Sequence, residues 1–298
     1  MMSWDRHTAA ELQAAHHVLT VMADADDLAT TLYEHWWAAA RPGGTSRGRW
    51  DPPLGWALRA AHAGALAWPA REHEVLAMGG YGAAVVADPS CRTHRRAVGR
   101  GDYLTAGAGA GLAPSIGARL RITRRRGGHD DQGWWRTWGD EWPAGDTPQG
   151  LTRVYFAPRR VEVARLVHEI TAVVPRITAT WSLKVATDPT ALDRADAVVL
   201  YLPDACRAEA FGALRARCAE RVRNSAPPFT EVLTPGMAWS EDPGDGQSFG
   251  ELRCRWLGEA YRRAEARCTA FADVVAEVFG EHGVDQSSAH LRGVGLAA

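Results

Sequence analysis

Lysine is almost missing from this sequence: of 34 Lys and Arg residues together, only Lys184 is a lysine, which leaves 33 arginines. Net charge is nearly missing too. At −1, with an isoelectric point near 6.8, the chain lacks the face-wide field that gathers nucleic acid or an anionic membrane, which argues against a general binder of either. No apolar run approaches the roughly 18 residues of a membrane span. The stretch from Met1 to His7 meets Glu11 before any long apolar run, so no secretory signal is read and a cytoplasmic location is expected. The five cysteines (Cys91, Cys206, Cys218, Cys254, Cys268) are odd in number and lack CxxC or Cys/His spacing. They read as reduced, packed thiols, and no metal or cofactor is expected. No internal repeat is present. A 46% hydrophobic, 23% charged composition over 298 residues suffices for one large core or two small ones.

What is present gains meaning from what is scarce. Richness in Ala, Gly and Arg points to a high-GC genome in which Arg has replaced Lys wherever only positive charge was needed. A guanidinium stays protonated, whereas an amine can lose its proton and act as base or nucleophile. The single retained lysine is therefore the first candidate for chemistry.

Helical spacing of apolar residues predicts helices over 8–23 and 26–40, and Pro52-Pro53 opens a third to about Ala65. Short β-type segments follow at Val75–Met78, Ala83–Ala87, Thr93–Val98 and Ala118–Thr123. From Gly127 to Gly150 the chain is rich in Gly, Asp, Pro and Trp (Trp134, Trp135, Trp138, Trp142) and reads as a long surface loop, either gripping a peptide or packed back on the fold. Beyond it the pattern predicts strand 151–157, helix 160–174, strands 179–186 and 196–202, helix 205–222, a loop to about Gly246 and one long helix over 248–280. The expected fold class is α+β: a mixed, mainly antiparallel sheet with helices on one face, plus an N-terminal helical region. Its expected parts are 1–70 (helical), 71–150 (small antiparallel β region with the Trp-rich loop) and 151–298 (α+β core), with one continuous domain as the alternative.

Alternation assigns faces to the C-terminal strands. Val154, Phe156, Trp181, Leu183, Val185, Val198, Leu200 and Leu202 fall on one side. Arg153, Tyr155, Ser182, Lys184, Val199 and Tyr201 fall on the other. If the apolar set packs beneath the two helices, the opposite face is polar, cationic and phenolic. An ordinary solvated sheet face fits the same alternation. Downstream, Glu241-Asp242-Pro243-Gly244-Asp245-Gly246-Gln247-Ser248 leads into a helix that Ser248 can cap, with Arg253 and Arg255 following. A helix start with free N–H groups and nearby arginines suits a phosphate.

These segments together, Arg153-Val154-Tyr155-Phe156, Leu183-Lys184-Val185-Ala186-Thr187-Asp188-Pro189, Asp196-Ala197-Val198-Val199-Leu200-Tyr201 and Glu241 through Cys254, resemble the HopA-like family over about 150–280. Leu32-Tyr33-Glu34-His35-Trp36-Trp37 resembles its helical N-terminal region more loosely. The sequence departs from the family pattern at Leu252, where histidine is frequent, at Glu231, where lysine is common, and at Gln247, which replaces a common Glu. The resemblance implies a lyase in lanthipeptide or thioamitide biosynthesis. Such a protein works beside a kinase-like phosphotransferase protein and eliminates phosphate from the phosphorylated Ser or Thr of a precursor peptide. The role of lysine as the base that removes the α-proton carries over to Lys184.

Elimination needs a base at the α-carbon, cations that hold the leaving phosphate, and an acid for the bridging oxygen. Lys184 is the expected base, and Arg153, a like charge on its face, favours the free amine and contacts phosphate. Ser248, Arg253 and Arg255 are the expected phosphate clamp. Tyr155 or Tyr201 is expected as the acid, ahead of His94, His129 and His168, and Asp188 is expected to orient Lys184 or touch the substrate amide. A non-catalytic peptide-binding partner of the kinase-like protein, or a host-directed effector, are the competing readings.

Overall fold

Asp5 starts the first helix, its carboxylate accepting from the backbone N–H groups of His7 and Thr8. That helix, α1 (Arg6–Val21), buries Leu12, Ala15 and Leu19 along one stripe. Asp27 caps α2 (Leu28–Leu32) in the same manner, and the chain continues into one π-helical turn, Tyr33–Trp37, closed by Ala38 N–H donating to the Tyr33 carbonyl. The computed structural model describes residues 4–38, 54–64, 72–79, 83–88, 91–98, 103–105, 114–122, 128–129, 133–143, 148–244 and 247–292. A third helix, α3, spans Leu54–Ala61.

The four short β-type segments read from the sequence are β1 (Glu72–Met78), β2 (Ala84–Asp88), β3 (Cys91–Val98) and β5 (Arg119–Ile122). With β4 (Tyr103–Thr105) they form an antiparallel sheet of order β3-β2-β1-β5-β4, around Val75, Val86, Leu120 and Ile122.

The larger sheet is built from β6 (Gly128–His129), β7 (Trp134–Trp138), β8 (Leu151–Phe156), β9 (Ser182–Ala186), β10 (Val198–Pro203), β11 (Glu231–Thr234) and β12 (Met237–Glu241). Their order is β11-β12-β8-β10-β9-β7-β6, and every described pairing is antiparallel. Two expectations are corrected here. The Trp-rich stretch is not a loop throughout, because Trp134-Trp135-Arg136-Thr137-Trp138 alternates and pairs as β7 with β9. The expected loop before Gly246 contains the β11–β12 hairpin, whose turn uses Gly236 at φ +86°. The boundary expected at 150 therefore falls within one sheet.

Trp135, Val154, Phe156, Leu183, Val185, Val198, Leu200, Leu202 and Met237 form the apolar face of this sheet, packed with α4 (Val163–Val173), α5 (Arg207–Cys218) and Leu54 and Leu58 of α3. Each buried Val, Leu or Phe contributes roughly 1.5–3 kcal/mol relative to exposure, enough to fix the register, since a one-residue slip would turn the whole set outward.

The expected single C-terminal helix is two. α6 (Phe249–Arg267) opens with a capping box between Ser248 and Glu251 and ends at Cys268, whose φ of +51° is left-handed. α7 (Phe271–Glu281) then folds back, so Val274, Val275, Val278 and Phe279 share a core with Trp256, Leu257 and Ala260 and with Leu12, Leu28 and Leu32 of the N-terminal helices. Gly250 is the tightest point of this join: a Cβ there would lie 2.3 Å from Trp37 Nε1. Gly250→Ala is expected to cost about 1–3 kcal/mol by overpacking, read as a lower urea midpoint. An unchanged midpoint would contradict the contact. Among the described residues no helix is long and apolar enough to cross a membrane.

Candidate functional site

Antiparallel register carries the residues of the polar face into two rows. One row runs Arg136, Lys184, Val199, Tyr155, Ala238 across β7, β9, β10, β8 and β12, and its neighbour runs Trp138, Ser182, Tyr201, Arg153, Ser240. Lys184, Tyr201 and Arg153 thus stand on adjacent strands of one face, as alternation predicts. They belong to a cleft of about 430 Å³ whose floor also carries Arg136 and Ser182. Trp134, Trp138 and Trp142 line it, Tyr33 reaches it from the π-helical turn, and Ser248 and Glu251 meet it from the start of α6.

Lys184 Nζ lies 4.5 Å from the centre of the Trp134 ring and 5.9 Å from that of Tyr201. Burial alone would raise the Tyr201 phenol, but the Lys184 and Arg153 cations outweigh it and hold the group below its ordinary value. Tyr201 is therefore expected to ionise below pH ~10, ahead of Tyr33 and Tyr155. Spectrophotometric titration of Tyr201→Phe is expected to lack this early step, and its persistence would show that another phenol carries it.

Arg153 is buried and already engaged: its Nε donates to Asp242 Oδ2 at 2.6 Å and its Nη2 to the Gln247 carbonyl at 2.7 Å. Burial works against its charge, yet Tyr201, Tyr155 and Asp242 more than offset that and raise it above its ordinary value. What Arg153 gives the cleft is a fixed positive centre 5.3 Å from the middle of the Tyr201 ring.

Several expected site residues lie elsewhere. Tyr155 sits on the same face but is 4% exposed, with its hydroxyl 3.0 Å from Ser240 Oγ, and burial raises its phenol while Arg153 opposes. It does not line the cleft. Arg253 is not a clamp. Its guanidinium is buried against Phe249, Trp256 and Phe279 and donates to the carbonyls of Ala289 and Leu291, which ties the C-terminal segment to α6. Burial pulls it down to about 9. Arg255, two residues on, is exposed on another side of α6 and outside the cleft. Asp188 is exposed and accepts from the backbone N–H and hydroxyl of Thr190, a turn role away from Lys184. His168 lies on α4, beneath the opposite face, with Nδ1 2.9 Å from the Ala61 carbonyl. The side chains of His94 and His129 lie outside the described residues. Ser248 does reach the cleft, while capping α6.

Three contributions were missed by the sequence reading. Arg136 is the cross-strand neighbour of Lys184, signalled by the Trp-x-Arg-x-Trp alternation of β7. Trp134 lies within 6 Å of both Lys184 Nζ and the Arg194 guanidinium. Tyr33 arrives from a segment far away in sequence, for which no local pattern gives a signal.

Residues 131–291 match the sequence model of the HopA1 effector protein family. Two solved structures share the fold. One, of the effector protein from Pseudomonas syringae pv. tomato strain DC3000, is 14% identical over 97% of this chain and 100% of its own, with a TM-score of 0.56. The other, of the effector protein from Pseudomonas syringae pv. syringae strain 61, is 13% identical over 97% and 98%, with a TM-score of 0.59. No curated protein sequence matches the chain. The matched stretch contains every cleft residue named above except Tyr33.

Proposed function

The chain belongs to the HopA1 effector protein family, and on that premise we propose that its cleft eliminates phosphate from phosphoserine or phosphothreonine in a peptide, leaving a dehydroamino acid. The observation that carries this reading is the placement of the only lysine, its Nζ 5.9 Å from the centre of the Tyr201 ring, on a sheet face where Arg136 and Arg153 stand on the strands either side of these two. Phosphate elimination asks for that combination: an amine able to accept the α-proton, beside cations that hold the departing anion. Arg136 takes the phosphate role that the sequence reading gave to Arg253 and Arg255. Tyr201, on the adjacent strand, stands beside the Lys184 amine. Three tryptophans beside this floor offer broad apolar contact to the flanking peptide. On this reading the protein acts after a kinase-like phosphotransferase that phosphorylates a precursor peptide of the lanthipeptide or thioamitide kind.

Incubation of the purified protein with a phosphorylated Ser/Thr peptide tests the proposal by mass spectrometry. Loss of phosphoric acid per site is the expected result, since hydrolysis would remove only HPO3. Tight binding with phosphate retained would select the non-catalytic peptide-binding partner instead. A host-directed effector is the second reading, and what favours it is that both solved structures of this fold are described as effector proteins. Neighbouring genes for a kinase-like protein and a Ser/Thr-rich precursor peptide would count against it.

A further inference from the structure

The reaction proposed above leaves one proton unassigned, the one that must reach the bridging oxygen as the Cβ–O bond breaks. Among the described residues two phenols line the cleft, Tyr201 and Tyr33. Tyr201 stands on the strand next to Lys184, its ring centre 5.9 Å from the amine. Tyr33 is placed differently. Arg194 Nη2 donates to its hydroxyl oxygen at 3.1 Å, and Arg194 is fixed in turn by two bonds of 2.8 Å to the Asp196 carboxylate. A guanidinium can only donate, so this contact occupies a lone pair of the Tyr33 oxygen and leaves the phenolic proton for another acceptor. The Arg194 guanidinium and Lys184 Nζ also share the Trp134 ring, at 5.7 and 4.5 Å, which sets the Tyr33 pair and the lysine beside one indole.

Resting on the lyase reading above, we infer that Tyr33 is the general acid of this cleft, donating its phenolic proton to the leaving phosphate while Arg194 stabilises the phenolate that results. Burial and Asp196 hold the Tyr33 phenol up at about 12, with Arg194 opposing, so it carries its proton at neutral pH. The step balances. Lys184 takes the α-proton, the C–H electron pair becomes the Cα=Cβ bond, the Cβ–O bond breaks toward oxygen, and that oxygen takes the Tyr33 proton. Hydrogen phosphate leaves, and passage of the proton from the Lys184 ammonium through solvent to the Tyr33 phenolate restores the site. Without the acid the leaving group would be the far more basic trianion. Tyr33 lies outside the stretch matched to the family, so the N-terminal helical region contributes directly to the chemistry.

The test compares wild type, Tyr33→Phe and Lys184→Arg on one phosphorylated peptide, with kcat and KM measured separately and far-UV circular dichroism as the check on folding. Tyr33→Phe is expected to lower kcat by about 10²–10⁴-fold, the usual contribution of a positioned acid, with KM within about threefold of wild type. A wild-type kcat for Tyr33→Phe, with Lys184→Arg inactive, would overturn the acid role and leave the lyase reading intact. A parallel loss of kcat, substrate affinity and helical signal would also overturn it, because Tyr33 would then serve only the shape of the cleft. Absence of turnover in wild type would remove both inferences at once.

Discussion

Lys184→Arg is expected to lower kcat for phosphate elimination by about 10²–10⁴-fold or more, the contribution of a positioned general base, while the protein still folds and still binds the phosphopeptide. The substitution is informative because it changes so little else. Positive charge stays over the Trp134 ring and near Tyr201, where arginine makes the same kind of cation–π contact. The side chain is partly exposed at the cleft, so the larger head has room to settle. The accessible free base is what disappears. Equal loss in kcat and kcat/KM marks an interaction made only in the transition state, as proton abstraction is. A peptide-binding partner with no chemistry would tolerate the change, and wild-type turnover by the variant would sink the proposed mechanism.

Strand alternation makes the position of Lys184 legible in the sequence. In β8, β9 and β10 the side-chain period of two assigns Arg153, Lys184 and Tyr201 to one face and Val154, Leu183 and Leu200 to the other, and the register of the sheet agrees. Alternation says nothing about depth, and so it put Tyr155 on the right face without revealing that Ser240 and the neighbouring strands seal it off. Arg253 misled for a related reason. An arginine near a helix start reads as an anion ligand, whereas here the carbonyls of Ala289 and Leu291, from a segment more than thirty residues on, claim it. The break between α6 and α7 was hidden because the left-handed residue is Cys268 and not the glycine that normally marks a helix end. Tyr33 and Arg194 meet across 161 positions, and only packing of the N-terminal helices against α6 brings them together.

The Arg153–Asp242 pair should give the largest stability effect of any single site in the molecule's polar face. Both side chains are nearly out of solvent, at 7% and 3% exposure, and the 2.6 Å contact joins β8 to the turn that leads into α6. Asp242 also accepts from Gly244 N–H at 2.8 Å, while its own N–H donates to the Leu151 carbonyl at 2.8 Å, so one residue sets the path of the chain toward Ser248. Asp242→Leu is expected to cost about 3–5 kcal/mol, because it strands the Arg153 charge among Tyr155, Tyr201 and the Gln247 carbonyl. Against a total stability of about 5–15 kcal/mol that is a large share, visible as a clear fall in the urea midpoint. The penalty comes from the unpaired charge, so the double variant Arg153→Met with Asp242→Leu is expected to recover most of the loss, a coupling well outside additivity. Its kcat should still fall, since the cleft then lacks the positive centre beside Tyr201. Two single losses that simply add in the double variant would show that the ion pair is not what holds this corner of the cleft.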